Sequence, residues 1–146
     1  MALQGTEVKQ LFLDFVEQAK KKFRFELWNF MVMDNHIHFL FKPGKDASLS
    51  EIMQWIKCNF AKKWNKLHDT HGHVWGERFF SKIIWNKSQF EEASAYIDNN
   101  PVKACLVAAA QAWEFGGLFH KLRRIMRLID VPLASTLFFP ASAGTP

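Results

Sequence analysis

Residues 24–42 read RFELWNFMVMDNHIHFLFK, and this stretch decides the architecture. Phe25, Leu27, Phe30 and Val32 lie in a run rich in β-formers, which predicts a strand over Arg24–Met33. Asp34-Asn35 has the chemistry of a turn. His36–Lys42 predicts a second strand, stopped by Pro43-Gly44, and the pair is most simply a β-hairpin. His36 and His38 stand two apart on that strand, so both imidazoles leave the same face, roughly 6–7 Å apart along the chain, while Ile37 points to the other. Two imidazoles side by side on a rigid element are half of a divalent-metal site. A pair of ordinary surface histidines is the plainer alternative, but Phe39-Leu40-Phe41 make the strand otherwise apolar.

Helical patterns lie on both sides of the hairpin. Val8, Leu11, Phe12, Phe15, Val16 and Ala19 share one helical face within Thr6–Lys22, which ends in three lysines where the helix dipole favours cations. Ser48-Leu49-Ser50-Glu51 is a capping-box signature, opening a helix whose apolar face runs Ile52, Ile56, Phe60, Trp64 and Leu67. Phe79–Trp85 (FFSKIIW) predicts a third strand. Ser88-Gln89-Phe90-Glu91 is a second capping-box signature, for a helix running to about Asn99 and ended by Pro101. The pattern as a whole is α+β, a small antiparallel sheet with helices packed on it.

The chain has 146 residues with a formal charge of +5, and 49% of its residues are hydrophobic, which excludes a disordered chain and a fibre. Two cysteines, Cys58 and Cys105, form no CxxC pair, exclude a disulfide scaffold and suit a reducing cytoplasm. No secretory signal pattern is present at the N-terminus. The apolar stretch from Leu128 to Phe139 is too short to span a bilayer and is broken by Asp130 and Pro132. A soluble cytoplasmic protein with no membrane partner is expected.

Aromatic usage is skewed: 15 Phe and six Trp against one Tyr, Tyr96. Tyr96 and Asn100 stand four apart near the end of a predicted helix and so share a face. A phenol with a reference pKa of about 10 is a weak nucleophile, and its attack on phosphorus needs a cation to polarise the phosphate. An Asn oxygen can complete such a cation's shell. A tyrosine packed under its helix and a C-capping asparagine would be the bland account of the same two residues.

These pairs coincide with a family pattern. MVMDNHIHFLFKP (31–43) resembles the His-hydrophobic-His motif of single-tyrosine HUH transposases, and WGERFFSKII (75–84) followed by AYIDNNPVKACLV (95–107) resembles their second half. The resemblance is closest to the REP-associated tyrosine transposases of the insertion-sequence type, and it covers about Val8–Val107. It implies a ferredoxin-like or RRM-like HUH fold with His36, His38 and Asn100 as ligands to Mg²⁺ or Mn²⁺. It also implies that Tyr96 is a nucleophile, forming a 5′-phosphotyrosyl intermediate on single-stranded, hairpin-forming DNA during transposition. Non-catalytic binding of single-stranded nucleic acid, or an inactive truncated transposase, are the alternatives.

The pattern also has departures. Relatives begin with a central strand, whereas only Met1–Gly5 precede the first helix here, so that strand is expected to be missing. The exposed sheet edge this would leave suggests pairing into a homodimer. Asp34 stands where relatives often carry Pro, as an outer-shell partner of the metal or as a turn residue. Residues 1–119 are assigned to the catalytic domain and 120–146 to a tail of unknown role, basic at Arg123, Arg124 and Arg127 and then rich in small residues and prolines. Lys57, Lys62, Lys63 and Lys66, with Arg78 and Lys82, could line a phosphate-binding surface or be solvated lysines and arginine. His71 and His73 form a second HxH but sit in a Gly-containing loop, where shared strand geometry is not expected.

Overall fold

The chain runs α1 (Thr6–Phe23), β1 (Glu26–Val32), β2 (Ile37–Lys42), α2 (Leu49–His68), α3 (Lys87–Lys103), a turn of 3-10 helix (Ala110–Ala112) and α4 (Gly117–Leu122). The structure is a computed structural model and describes residues 3–75 and 82–132. β1 and β2 form the expected antiparallel hairpin, in a register that pairs Met31 with His38 and Val32 with Ile37. The register slips between Leu27 and Asn29. This bulge explains why the apolar residues of β1 are not strictly alternate: one extra residue lets Leu27 and Phe30 face the same layer.

That layer is α1 and α2. Phe12, Val16, Ile52, Ile56 and Phe60 pack with Leu27, Phe30 and Val32 in one core, and Phe39 and Phe41 of β2 lie against it. On the opposite face Trp28, Met31, Met33 and Leu40 pack with Ile97 of α3. β1 is therefore covered on both sides, whereas the face of β2 that carries His36 and His38 belongs to the α3 layer.

Local signals set most helix ends. Ser48 and Glu51 form the full capping box of α2. α3 departs from expectation at both ends. It starts two residues earlier than Ser88 would allow, because the side chain of Asn86 accepts from Gln89 N–H and takes the N-cap. It also runs through Pro101 to Lys103. Proline removes only one N–H, and so close to the C-terminus the helix loses little by it. Termination comes at Cys105, whose φ is 57°. Leu106 N–H bonds Pro101 O and Cys105 N–H bonds Val102 O, the paired bonds of a Schellman cap.

The outer edge of β1, expected to stand open, is covered by the chain's own later residues. Val32 N–H donates to Phe115 O at 2.9 Å, and Met31 pairs with Gly116 as an isolated bridge. Asp130 N–H donates to Leu27 O at 2.8 Å, and Asp130 Oδ2 accepts from Leu27 N–H at 2.9 Å. Trp113 Nε1–H donates to Val32 O. Leu128 and Ile129 are buried in the main core, with Leu128 at 0% exposure. Arg127 pairs with Glu17 of α1, and Lys20 donates to Leu128 O at 2.6 Å and binds Asp130. The expected basic tail thus enters the fold as far as 130. Of the expected third strand, Lys82–Trp85 are irregular and the rest lies outside the described residues.

Two stability predictions follow from this closure. Leu128→Ala should lower the unfolding free energy by about 2–5 kcal/mol in a denaturant melt, whereas a loose tail would leave it unchanged. The second concerns His120 of α4, which is buried against Phe30 with its Nε2 on Glu114 O and no partner for Nδ1 among the described residues. Burial holds its pKa below the ordinary value against the opposing pull of the Glu114 carbonyl, and Arg127 adds to the lowering. The unfolded chain takes up that proton near pH 6.5 or so and the folded chain only below it. The stabilisation is therefore complete above that pH and is lost as pH falls through the native value. The denaturation midpoint should drop on acidification, and drop less in His120→Gln.

Candidate active site

Three elements build the site. His38 on β2 and His36, one residue ahead of the strand rather than inside it as expected, meet with ring centroids 5.0 Å apart at 82°. α3 lies over them and brings Tyr96 to His38, centroid to centroid 5.8 Å, with the rings nearly perpendicular. Asn100, one turn on, faces His36, its Oδ1 3.5 Å from Nε2. All four expected residues are therefore together within one chain. Tyr96 is 54% exposed, which leaves its ring accessible from solvent.

The hydrogen bonds orient the donors. His36 Nδ1 lies 2.6 Å from Asn35 Oδ1. With its proton given to that oxygen, Nε2 keeps a lone pair. Asn100 Nδ2 donates to Tyr96 O at 3.2 Å, which turns Oδ1 towards His36. Two acceptors then face each other, an arrangement that suits a cation between them. Burial, and then the neighbouring imidazole of His36, lower the pKa of His38 and favour the neutral ring that a metal needs. Two imidazole nitrogens and an amide oxygen fit a divalent ion that keeps open positions for other oxygens. Among the described residues, no three His, Cys, Asp or Glu side chains gather into a metal cluster, so the third donor here would be Asn100.

Asp34 does not join this group. Its carboxylate pairs with the ammonium of Lys9, which is 4% exposed and also binds Leu3 O. The turn leading into His36 is thereby tied to α1. Asn29 is a polar residue in the apolar run of β1, and an amide among apolar neighbours is the only signal the sequence gives of its part in the site. It is fully buried, and its Nδ2 donates to Ser94 Oγ and Asp98 Oδ1, both at 2.9 Å. Ser94 and Asp98 flank Tyr96 on α3, so one amide pins the tyrosine helix to the sheet. Gly117 packs so close to Asn29 Oδ1 that a side chain there would collide with it.

The expected basic surface is divided. Lys62, Lys63 and Lys66 are exposed on α2, across the sheet from Tyr96. Lys57 lies over the indole of Trp75, 5.1 Å from its centroid, and burial lowers its pKa. Lys82 is exposed ahead of α3, and Arg78 lies outside the described residues. Trp75 packs on Phe12 and Phe60, and Trp55 on Phe15 and Phe23, so these indoles serve the core. His71 and His73 are exposed in the loop after α2.

Residues 2–100 match the family described as "Transposase IS200 like". The match spans more than half of the chain, and the protein belongs to this family. Among solved structures, a REP-associated tyrosine transposase bound to a REP hairpin has a similar fold. Its TM-score is 0.66 at 24% identity, and the alignment covers 94% of this chain and 79% of that one. No curated protein matches.

Replacing Asn29 by Leu should leave Ser94 and Asp98 without their buried partner, at about 1–3 kcal/mol. Hydrogen exchange should then accelerate in α3 more than in α1. Equal change in both helices would show that the amide does not hold α3 in particular.

Proposed function

We propose that this protein cuts and rejoins single-stranded DNA, taking hairpin-forming strands as substrate and Tyr96 as the nucleophile. The observation that carries the reading is the approach of Tyr96 to His38 at 5.8 Å with Asn100 Oδ1 turned onto His36, all from one chain. The phenol oxygen bonds to phosphorus as the P–O3′ bond breaks. Its proton passes to solvent, and the departing 3′ oxygen takes one from water. The phosphate stays on Tyr96 as a 5′-phosphotyrosine, and attack by another 3′-hydroxyl reverses the step. No nucleotide cofactor is required, because the phosphotyrosyl bond conserves the energy of the bond that was broken.

His36, His38 and Asn100 would hold the metal, Mg²⁺ or Mn²⁺, which when bound withdraws charge from the phosphate oxygens. Asn35 keeps the His36 lone pair directed to that position, and burial favours the neutral form of His38. Lys82, with Lys62, Lys63 and Lys66, supplies exposed cations for the backbone of the DNA. Because α2 lies across the sheet, its lysines meet DNA only where the strand passes around the sheet. Lys57, stacked on Trp75, and Arg78 complete the basic set expected from the sequence. A homodimer would add binding surface without being needed to complete the site. The setting is the cytoplasm, where Cys58 and Cys105 stay free. No described helix is long and apolar enough to cross a membrane.

A pool of labelled single-stranded hairpin oligonucleotides with Mn²⁺ tests the reading on a denaturing gel. A slow-migrating covalent adduct is expected. Chelation or Tyr96→Phe should abolish it, and His36→Ala or His38→Ala should lower it by about 10²-fold or more. An adduct that survives in Tyr96→Phe overturns the assignment, and salt-dependent binding with no adduct replaces it with a non-catalytic binding module.

A further inference from the structure

α3 continues past Pro101, and the continuation adds a residue to the site. Tyr96, Asn100 and Lys103 stand at i, i+4 and i+7, so all three lie on one helical stripe. The Lys103 ammonium lies over the Tyr96 ring, 5.3 Å from its centroid. Among the described residues no carboxylate pairs with it. A cation in the last turn suits the helix dipole, and that accounts for a lysine at the end of α3. It does not account for an unpaired ammonium against the one tyrosine of the chain.

Two sets of groups then gather around that ring. His36, His38 and Asn100 are the group that would hold a metal, with His38 against the ring, and Lys103 lies over the same ring one turn beyond Asn100. A phosphodiester brought to the phenol oxygen would carry negative charge that the metal side alone meets in part. Lysine suits the remainder, being a compact charge on a flexible four-carbon stem that can leave the ring for a phosphate oxygen. The Schellman cap at Cys105 holds the last turn of α3 and with it the position of Lys103.

We infer that Lys103 is a phosphate-binding residue of the site, its ammonium hydrogen-bonded to a non-bridging oxygen of the phosphate that Tyr96 attacks and then carries. The inference rests on Tyr96 being the nucleophile and adds a second cation to the reaction, supplied by the protein itself. It assigns no proton transfer to Lys103. Charge at this position is what matters, so arginine should substitute for lysine.

The test compares wild type, Lys103→Met and Lys103→Arg, with Lys21→Met as a control for the loss of one exposed charge on α1. Single-turnover adduct formation on a hairpin oligonucleotide with saturating Mn²⁺ should slow by about 10- to 100-fold in Lys103→Met. It should recover most of that loss in Lys103→Arg and stay at the wild-type rate in Lys21→Met. A second reading needs neither chemistry nor metal. In Tyr96→Phe with chelator, affinity for the same oligonucleotide is followed against salt, and adding Lys103→Met should reduce the log–log slope by about 0.7, one phosphate contact on a single strand. A wild-type adduct rate in Lys103→Met with an unchanged salt slope overturns the role of Lys103 and leaves Tyr96 in place. If the wild type forms no adduct, the nucleophile reading fails and the salt slope alone decides whether Lys103 holds a phosphate.

Discussion

The outer edge of β1 offers N–H and C=O groups to whatever lies beside it, and a buried peptide group left unpaired costs about 1–3 kcal/mol. With two strands among the described residues, the sheet cannot supply those partners itself. Phe115, Gly116 and Asp130 do so, bonding Val32, Met31 and Leu27 along the edge. A segment held there must also bury its own apolar side chains, and Leu128 and Ile129 extend the core between α1 and the sheet. The ion pairs of Arg127 and Lys20 add modestly to this, since partly exposed pairs are worth little. Closure of one strand edge therefore draws residues more than a hundred positions apart into a single unit.

The closed edge keeps β1 buried on both sides, and the bulge at Trp28 sorts its residues between them. Leu27, Phe30 and Val32 serve the apolar layer beneath α1 and α2, and Met31 faces the layer of α3 with the two histidines opposite. The candidate site lies at the polar margin of the second layer, where the two imidazoles are half-buried. Burial there favours the neutral ring of His38, while Tyr96 stays 54% exposed.

α3 is pinned to the sheet from two directions. Ile97 packs on the sheet, and Asn29 holds Ser94 and Asp98 from below. Tyr96 stands between Ser94 and Asp98, and Asn100 and Lys103 follow it on the same helical stripe. A helix tied through residues on either side of its tyrosine presents that side chain in one orientation, as the in-line attack proposed for Tyr96 would require.

The hairpin, the first two helices and the pairing of His36 with His38 were legible in the sequence, because alternation, helical periodicity and capping residues are local signals. Tyr96 and Asn100 were legible as a face pair for the same reason, and the family pattern joined them to the histidines. The end of α3 was misjudged from Pro101, since a proline one turn from a helix terminus costs too little to stop it, and Lys103 was missed with it. Asn29 gave only the faint signal of an amide among apolar residues. What lies beside the edge of β1 could not be read at all, because Leu27 and Asp130 are neighbours only once the core has formed. Local chemistry thus determined the elements and the face pairs His36–His38 and Tyr96–Asn100. Only the tertiary structure decided what closes the sheet and how the tyrosine helix is held, because both depend on backbone groups and buried polar atoms meeting partners far away along the chain.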